Sequence, residues 1–440
     1  MKVTAPPPID PGALASLGSQ KLELGVRWAS ERRDYAHWHK FRFQEVPPGL
    51  THEEAWILVR TLRQVRPLPM TDVDGAPFVL GSPDDLHEAV SLIDRRAAGS
   101  LRGGDAEPVA ESDRDRYIVS SLEEEAIRSS QLEGAAVTRR VAREMLRVGR
   151  APRTVDERMI LNNVRAMEWI RENRDSDLSR EFVCELHSIL TVDTLDDRGE
   201  VGRFRRADED IVVQVDHEVV HVPPNARELE ERMAALCAFA NGQDTGFFIH
   251  PIVRAILVHL WLAYDHPFVD GNGRTARGLF YWSMLRSGYW LAEYVSISRL
   301  LRKARASYGA AFLMTETDSN DATYFVLHQL DVLQRSIEDL HGYLDRKGRA
   351  FEEARRAIGL SSGLNHRQVA LLERALRDAH TTFTFKGHQR SHGTSYQTAR
   401  TDLLDLVDRG FFEQGKEGRK AIFWPVKGLA ERIRSERERA

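Results

Sequence analysis

The chain has 440 residues and a mass of 50.1 kDa, with 42% hydrophobic and 29% charged residues and a net charge of −4. These values describe a globular chain with room for two or three domains and exclude a disordered or collagen-like one. The most apolar run, Ile252 to Tyr264, spans 13 residues and contains Arg254 and His259, too short and too polar to cross a bilayer. Cys184 and Cys237 are too few for a disulfide framework or a Cys-based zinc module and read as buried apolar residues.

Residues 1 to about 20 are rich in Pro, Gly and Ala and read as an arm. Prolines interrupt the stretch where a signal peptide needs an apolar run, so the expected location is cytoplasmic. Residues 20 to 100 read as a helical N-terminal region, with HEEAWILVRTLRQV and PDDLHEAVSLIDRRAA separated by a turn at TDVDGAPF, and SLRGGDAEP as a linker. Amphipathic helices follow: RDRYIVSSLEEEAIRSSQLEG closing at Gly134, VDERMILNNVRAMEWIREN, and SREFVCELHSILTV. The Val-rich segment 210–224, with a polar centre at Asp216, His217 and Glu218, is a hairpin signature ended by Pro223 and Pro224. Helices at 250–264 and 273–288 are joined by a short polar loop.

The last 75 residues differ in kind. From residue 365 onward, 15 Lys and Arg face 10 Asp and Glu, whereas the rest of the chain is acidic. A helix at LNHRQVALLERALRDA, a second at TSYQTARTDLLDLVDRGFF and two short strands at EQGKEGRKAIFWPV outline a winged helix-turn-helix.

The loop between the two central helices carries the chemistry. His266, Asp270, Gly271, Asn272, Gly273, Arg274 and Arg277 lie within 12 residues. Gly271 and Gly273 let backbone approach a ligand, and the helix that starts there points free N–H groups into the loop, which makes an anion seat. Arg274 and Arg277 leave the same first turn towards that anion. Asn272 adds a neutral donor, Asp270 is a hard oxygen ligand suited to Mg2+, and His266 is a base near neutral pH. The combination points to phosphoryl or nucleotidyl transfer.

This stretch resembles the signature of the Fic family, HxFx(D/E)GNGRxxR, at every specified position. The resemblance implies transfer of AMP from ATP to a Ser, Thr or Tyr hydroxyl of a target protein or of the chain itself, with pyrophosphate leaving. It implies His266 as the base, Asp270 on Mg2+, Asn272 with the Gly271 and Gly273 backbone on the α-phosphate, Arg274 on the phosphate chain and Arg277 on the γ-phosphate. Upstream, Ser129 to Gly134 resembles the family's inhibitory motif, (S/T)xxxE(G/N). Ser129 and Glu133 are i and i+4 on one helical face, so the hydroxyl is expected to orient the carboxylate. The resemblance implies that Glu133 pairs with Arg277 and keeps ATP from settling productively.

The expected architecture is mainly α. A helical N-terminal region (1–112) precedes a Fic-type helical core (113–350) with an inhibitory helix (about 116–134) and a β-hairpin flap (about 210–224), and a C-terminal winged helix-turn-helix (360–440) follows. Gly202 to Arg205 and Val222 to Pro224 resemble the flap borders, and residues 297–308 the helix after the motif. The expected partners are ATP, a target protein held along the flap by strand addition, and DNA or protein at the C-terminal domain, with no membrane and with homodimer formation left open.

Two other functions fit the same residues: removal of AMP from a modified target, and a DNA-binding regulator with the Fic core as sensor. Gln397, Thr398 and Arg400 are the DNA-contact candidates, against which stand Asp402, Asp405 and Asp408 on the same helix. His217 to His221 spells HExxH, but in a strand four residues span roughly 13 Å, too far for one zinc ion. Gly410 to Lys416 imitates a Walker A opening, with Glu417 where Ser or Thr belongs. His388 and His392 read as loop histidines.

Overall fold

The protein is described by a computed structural model covering residues 2–437 except 9–11, 13–16, 98–110, 210, 216, 244–245, 290–291, 293–294, 361–362, 378–380 and 418–419. The linker SLRGGDAEP and the flap residues Asp210 and Asp216 lie outside the described residues. The chain divides into two compact units, one of residues 1–99 with 118–337 and one built mainly on residues 338–437. The N-terminal region and the catalytic-loop region therefore fall in a single unit.

The first unit opens with α1 (Ser19–Ser30), α2 (Trp38–Phe41) and α3 (His52–Leu62). Thr51 starts α3 through a capping box: its hydroxyl accepts from Glu54 N at 3.1 Å, and Glu54 Oε2 accepts from Thr51 N at 2.7 Å. Leu17, Trp38, Phe41 and Trp56 pack as one apolar cluster, and Thr4 N donates to His39 Nδ1 at 3.1 Å, so parts of the expected N-terminal arm lie against the fold.

The region is not wholly helical. β1 (Val65–Thr71) and β2 (Pro77–Gly81) form an antiparallel hairpin around the expected turn. Pro67 and Pro69 prevent α3 from continuing, and Asp72 Oδ1 accepts from the backbone of Asp74 and Ala76 to close the turn. Helix α4 (Asp84–Ala97) follows.

Next come α5 (Glu111–Leu132), α6 (Arg139–Val148), α7 (Val155–Glu172) and α8 (Arg180–Thr191). The flap is β3 (Val213–Val215) paired with β4 (Glu218–His221), with a register shift between Val213 and Gln214. Beyond it run α9 (Leu229–Ala240), α10 (Pro251–Asp265), α11 (Asn272–Arg286), α12 (Ile297–Lys303), α13 (Arg305–Thr317) and the start of α14 (Thr323–Leu360). α10 and α11 are buried on nearly all faces, which makes them the centre of the unit. Arg60 and Arg63 reach the turn before α14, where Arg60 Nε lies 2.9 Å from Asp318 and Arg63 3.5 Å from it. No described helix is long and apolar enough to cross a membrane.

In the second unit α15 (His366–Arg377), α16 (Phe385–His392) and α17 (Tyr396–Asp408) precede an antiparallel hairpin of β5 (Phe412–Glu417) and β6 (Lys420–Pro425), then α18 (Leu429–Arg437). Helices α16 and α18 are additional to the sequence outline, which placed His388 and His392 in a loop. Both histidines lie on α16, whose Thr384 cap and left-handed Gly393 terminator bound only eight residues, too few for a visible periodicity. The Walker-like segment is strand β5, with no helix to receive a phosphate.

Phe41 is fully buried between the rings of Trp28, Trp38 and Trp56. Phe41→Ala is expected to destabilise the first unit by about 3–5 kcal/mol, read as a lower urea midpoint in tryptophan fluorescence.

Candidate active site

The loop between α10 and α11 takes its shape from side chains that bond its backbone. His266 caps α10 in the left-handed region, at φ 47°, a costly conformation for a residue with a side chain. Its N donates to Leu262 O at 3.0 Å and its carbonyl accepts from Arg205 Nε at 2.9 Å. Ring Nδ1 lies 3.2 Å from Ala263 O. A carbonyl only accepts, so Nδ1 carries the proton and Nε2 keeps its lone pair. Burial pushes the imidazole down to about 4, with the Ala263 carbonyl opposing and His221 assisting. His266 is therefore neutral at physiological pH.

Asn272 Oδ1 accepts from Phe268 N at 2.9 Å and its Nδ2 donates to Phe268 O at 2.8 Å. At the first turn of α11 the short side chain curls back, and both polar atoms bond the loop backbone, which leaves the donor expected for phosphate to the second N–H of Nδ2.

His187, which sequence reasoning missed, is buried on α8 and stacks on Phe268 at 3.7 Å between ring centroids. Its Nδ1 accepts from Gly202 N at 3.0 Å, so Nε2 carries the proton and donates to Asp270 O at 2.8 Å. Burial lowers it to about 4, which keeps this tautomer neutral. A lone His on the apolar face of an amphipathic helix was the only available signal.

Gly271 sits at φ +83°, and a Cβ there would come within 2.7 Å of Thr191 Cγ2. At Gly273 a Cβ would meet Glu133 Oε1 at 2.3 Å. The α-carbon of Gly273 is thus the floor on which the Glu133 carboxylate rests.

Arg274 and Arg277 are 1% and 2% exposed. Arg274 donates to Leu190 O at 3.0 Å and lies 3.5 Å from Asp270 Oδ2, while its Nε is buried without a hydrogen-bond partner. Arg277 is engaged throughout: Nε donates to Ser129 Oγ at 2.9 Å, and Nη2 donates to Ser129 O at 3.2 Å and Glu133 Oε1 at 2.8 Å. The Ser129 hydroxyl was expected to orient Glu133. Instead both residues take hold of the same guanidinium, because Glu133 lies in the turn just past Leu132. Burial alone would raise the Glu133 carboxyl, but Arg277, then Arg274 and His266, hold it below its usual value.

A further residue missed in the sequence is Glu125, two turns before Glu133 on α5 and 2% exposed. Its carboxylate accepts from Ser296 Oγ at 2.8 Å, from Ser298 N at 3.0 Å and from Ser298 Oγ, at the start of α12. It ties the helix that delivers Glu133 to the segment beyond the loop. That segment, expected as one helix over 297–308, breaks at Ala304 into α12 and α13.

Asp270 projects outward, its side chain 62% exposed, with Oδ1 accepting from Gly271 N at 2.6 Å. A single open carboxylate beside an anion seat fits Mg2+, which keeps several waters and shares phosphate oxygens. The HExxH segment does not form a metal site. His217 lies in the flap turn, and His221 Nε2 lies 2.7 Å from Tyr264 O with Nδ1 3.1 Å from Glu316. Among the described residues no group of three His, Cys, Asp or Glu could hold a metal. Arg205 joins flap to loop: its N donates to Pro267 O at 2.8 Å and its guanidinium also reaches Pro224 O.

A profile of the Fic/DOC family matches residues 177–284, which hold this loop, α8, the flap and most of α11. The chain carries a Fic domain. It is similar to proteins named protein adenylyltransferase Fic from Nematostella vectensis (45% identity over 69 residues, 16% of each chain) and from Drosophila melanogaster (32% over 165 residues, 36% of this chain and 31% of that one). The matched segments thus span well under half the length of these relatives. A solved Fic family protein from Desulfovibrio desulfuricans G20 shares the fold, with a TM-score of 0.52 at 18% identity over 79% of this chain and 98% of that one.

Gly271→Ala is expected to cost about 1–3 kcal/mol, from left-handed strain and the clash with Thr191, and a lowered melting temperature measures it. The Glu133–Arg277 pair carries its own pH signature. A depressed carboxyl pKa stabilises the fold above its unfolded value of 4.5 and loses that contribution as pH falls below it. The melting-temperature advantage of the unaltered protein over Glu133→Gln should therefore hold at neutral pH and vanish in acid.

Proposed function

We propose that this chain is an autoinhibited, Mg2+-dependent protein adenylyltransferase, which moves AMP from ATP to a hydroxyl on a target protein or on itself. One observation carries the reading. Two buried arginines and a glycine-floored helix start make a seat for anionic oxygens beside a neutral imidazole, and the carboxylate of Glu133, just past α5, fills that seat.

Nε2 of His266 takes the proton of the target hydroxyl as its oxygen bonds the α-phosphorus. The bond from that phosphorus to the oxygen bridging to the β-phosphate breaks, and pyrophosphate leaves with the electron pair. The unpartnered Arg274 Nε and the helix N-terminus are the groups that meet phosphate oxygens, and Arg277 takes the terminal phosphate once Glu133 withdraws. Asp270 would hold Mg2+, which when bound would supply charge neutralisation to the phosphates. Asn272, His187 and Arg205 position the loop. The flap offers strand edges on β3 and β4 unpaired among the described residues, suited to a target peptide that adds as a strand. Free Cys184 and Cys237 suit a reducing, cytoplasmic setting.

A charge-assisted hydrogen bond contributes about 1.5–3 kcal/mol, so freeing Arg277 is worth roughly 10- to 100-fold in productive ATP occupancy. Glu133→Gly is expected to raise incorporation of label from ATP marked at the α-phosphate by that factor and to incorporate none from ATP marked at the γ-phosphate. His266→Ala in the same background should abolish incorporation while keeping nucleotide binding. Label from the γ-position on the protein would mean phosphoryl transfer and would overturn the reading. Since burial keeps His266 unprotonated, transfer by Glu133→Gly should stay level from about pH 8 to about pH 6, where an unperturbed imidazole would already be failing. A profile that halves near the ordinary imidazole value would mean that burial does not hold His266 neutral in the working enzyme.

A further inference from the structure

The second unit contains no part of the Fic loop, and its surface carries a separate chemistry. We propose that α16, the turn after it, α17 and the strands β5 and β6 form a winged helix-turn-helix that binds duplex DNA, with the first two turns of α17 in the major groove and Lys416 and Lys420 against the phosphate backbone.

Three observations support this. The first concerns the aspartates that counted against a recognition helix in the sequence. Asp402 is 3% exposed and accepts from Arg367 Nε at 2.8 Å and Asn365 Nδ2 at 2.8 Å, with His388 Nε2 at 3.0 Å. Asp405 accepts from Gln368 Nε2 at 2.7 Å and Arg409 Nε at 2.9 Å. These two carboxylates fasten α17 to α15 and α16, and their charge is matched internally. Only Asp408 stays exposed, at the C-terminal end of the helix, the end a recognition helix holds away from the bases.

The second is the composition of the outward face. Ala399, Leu403 and Leu406 point into the core, which leaves Tyr396, Gln397, Arg400 and Thr401 exposed on the opposite side. From residue 379 to residue 401 the sequence contains no Asp or Glu, while exposed Lys386 and Arg390 stand on α16. Arg and Gln are the side chains that form paired hydrogen bonds to guanine and adenine edges, and Lys, Thr and Tyr bond phosphate.

The third is the placement of the hairpin tip. Lys416 and Lys420 are exposed on either side of Glu417, and the register Lys416↔Ala421 and Glu417↔Lys420 puts both at the turn end of the ribbon. Among the described residues none of Lys386, Arg390, Arg400, Lys416 and Lys420 is held in an ion pair. Unpaired cations on a helix pair and a ribbon tip, with no acid between residues 379 and 401, complement a polyanion better than a protein surface of mixed charge.

The test uses the full chain and a fluorescein-labelled duplex pool of randomised sequence, followed by anisotropy as potassium chloride is raised. The unaltered protein should bind at low salt, with affinity falling linearly on a log–log plot. The double variant Arg390→Glu/Arg400→Glu, both positions exposed and expected to melt as the parent does, should bind at least about tenfold more weakly, with the salt slope reduced by about two. Lys416→Glu should weaken all duplexes alike, whereas Gln397→Ala should change which sequences are recovered from the pool. Absence of binding at low salt overturns the proposal and leaves the face to a protein partner. Undiminished binding by the double variant overturns it too, by placing DNA elsewhere on the chain. None of these readouts depends on AMP transfer.

Discussion

A guanidinium buried to the extent of Arg277 cannot be left without a partner, because an uncompensated charge in that environment costs more than most single interactions provide. Glu133 and Ser129 are that partner here. The contact that, on the proposed reading, would deny the seat to a phosphate also satisfies a buried cation, so autoinhibition and folding would rest on one ion pair. An incoming terminal phosphate would have to replace the carboxylate on the same nitrogen. The helix bringing Glu133 is itself fixed by Glu125 on α12 and by the Ser130–Asn163 hydrogen bond at 3.1 Å. Under the proposed autoinhibition, relief would therefore require loosening of α5 and would leave the loop unchanged.

The loop is rigid for a related reason. Its backbone is bonded by side chains from other elements: Asn272 to Phe268, His187 to Asp270, Arg205 to His266 and Pro267. These residues convert a short connection between two helices into a preorganised surface, at which His266 can hold a left-handed conformation that an isolated loop would abandon. The flap borders serve the same end, since Gly202 and Arg205 supply the bonds to His187 and His266.

Much of this was legible in the sequence because the chemistry is local. His266, Asp270, the glycines and both arginines sit in one run whose spacing forces them together, and the Val-rich flap announces itself by alternation and a proline stop. What escaped depended on distant partners. His187 becomes significant only through a contact 83 residues away, and Glu125 through one at 173. The bonds of Asn272 to Phe268 were not legible because composition lists its donors but not where they point. The β1–β2 hairpin was hidden behind a strong helix signal at 52–62, and the short helix α16 lacked the length to show a period. In the second unit the aspartates of α17 read as surface charge until Arg367, Asn365 and His388 were seen around Asp402.

Gly273 serves two masters. Its bare α-carbon supports the Glu133 carboxylate, and on the proposed reading the same absence of a side chain would let phosphate oxygens approach the helix start. Any mutation there that evicts Glu133 also fills the space a substrate needs. If the proposed autoinhibition holds, spontaneous hyperactive alleles should accordingly be barred from Gly273 and arise at Glu133 and in the helix that ends at Leu132, leaving selection free to adjust the threshold of the switch without touching its catalytic parts.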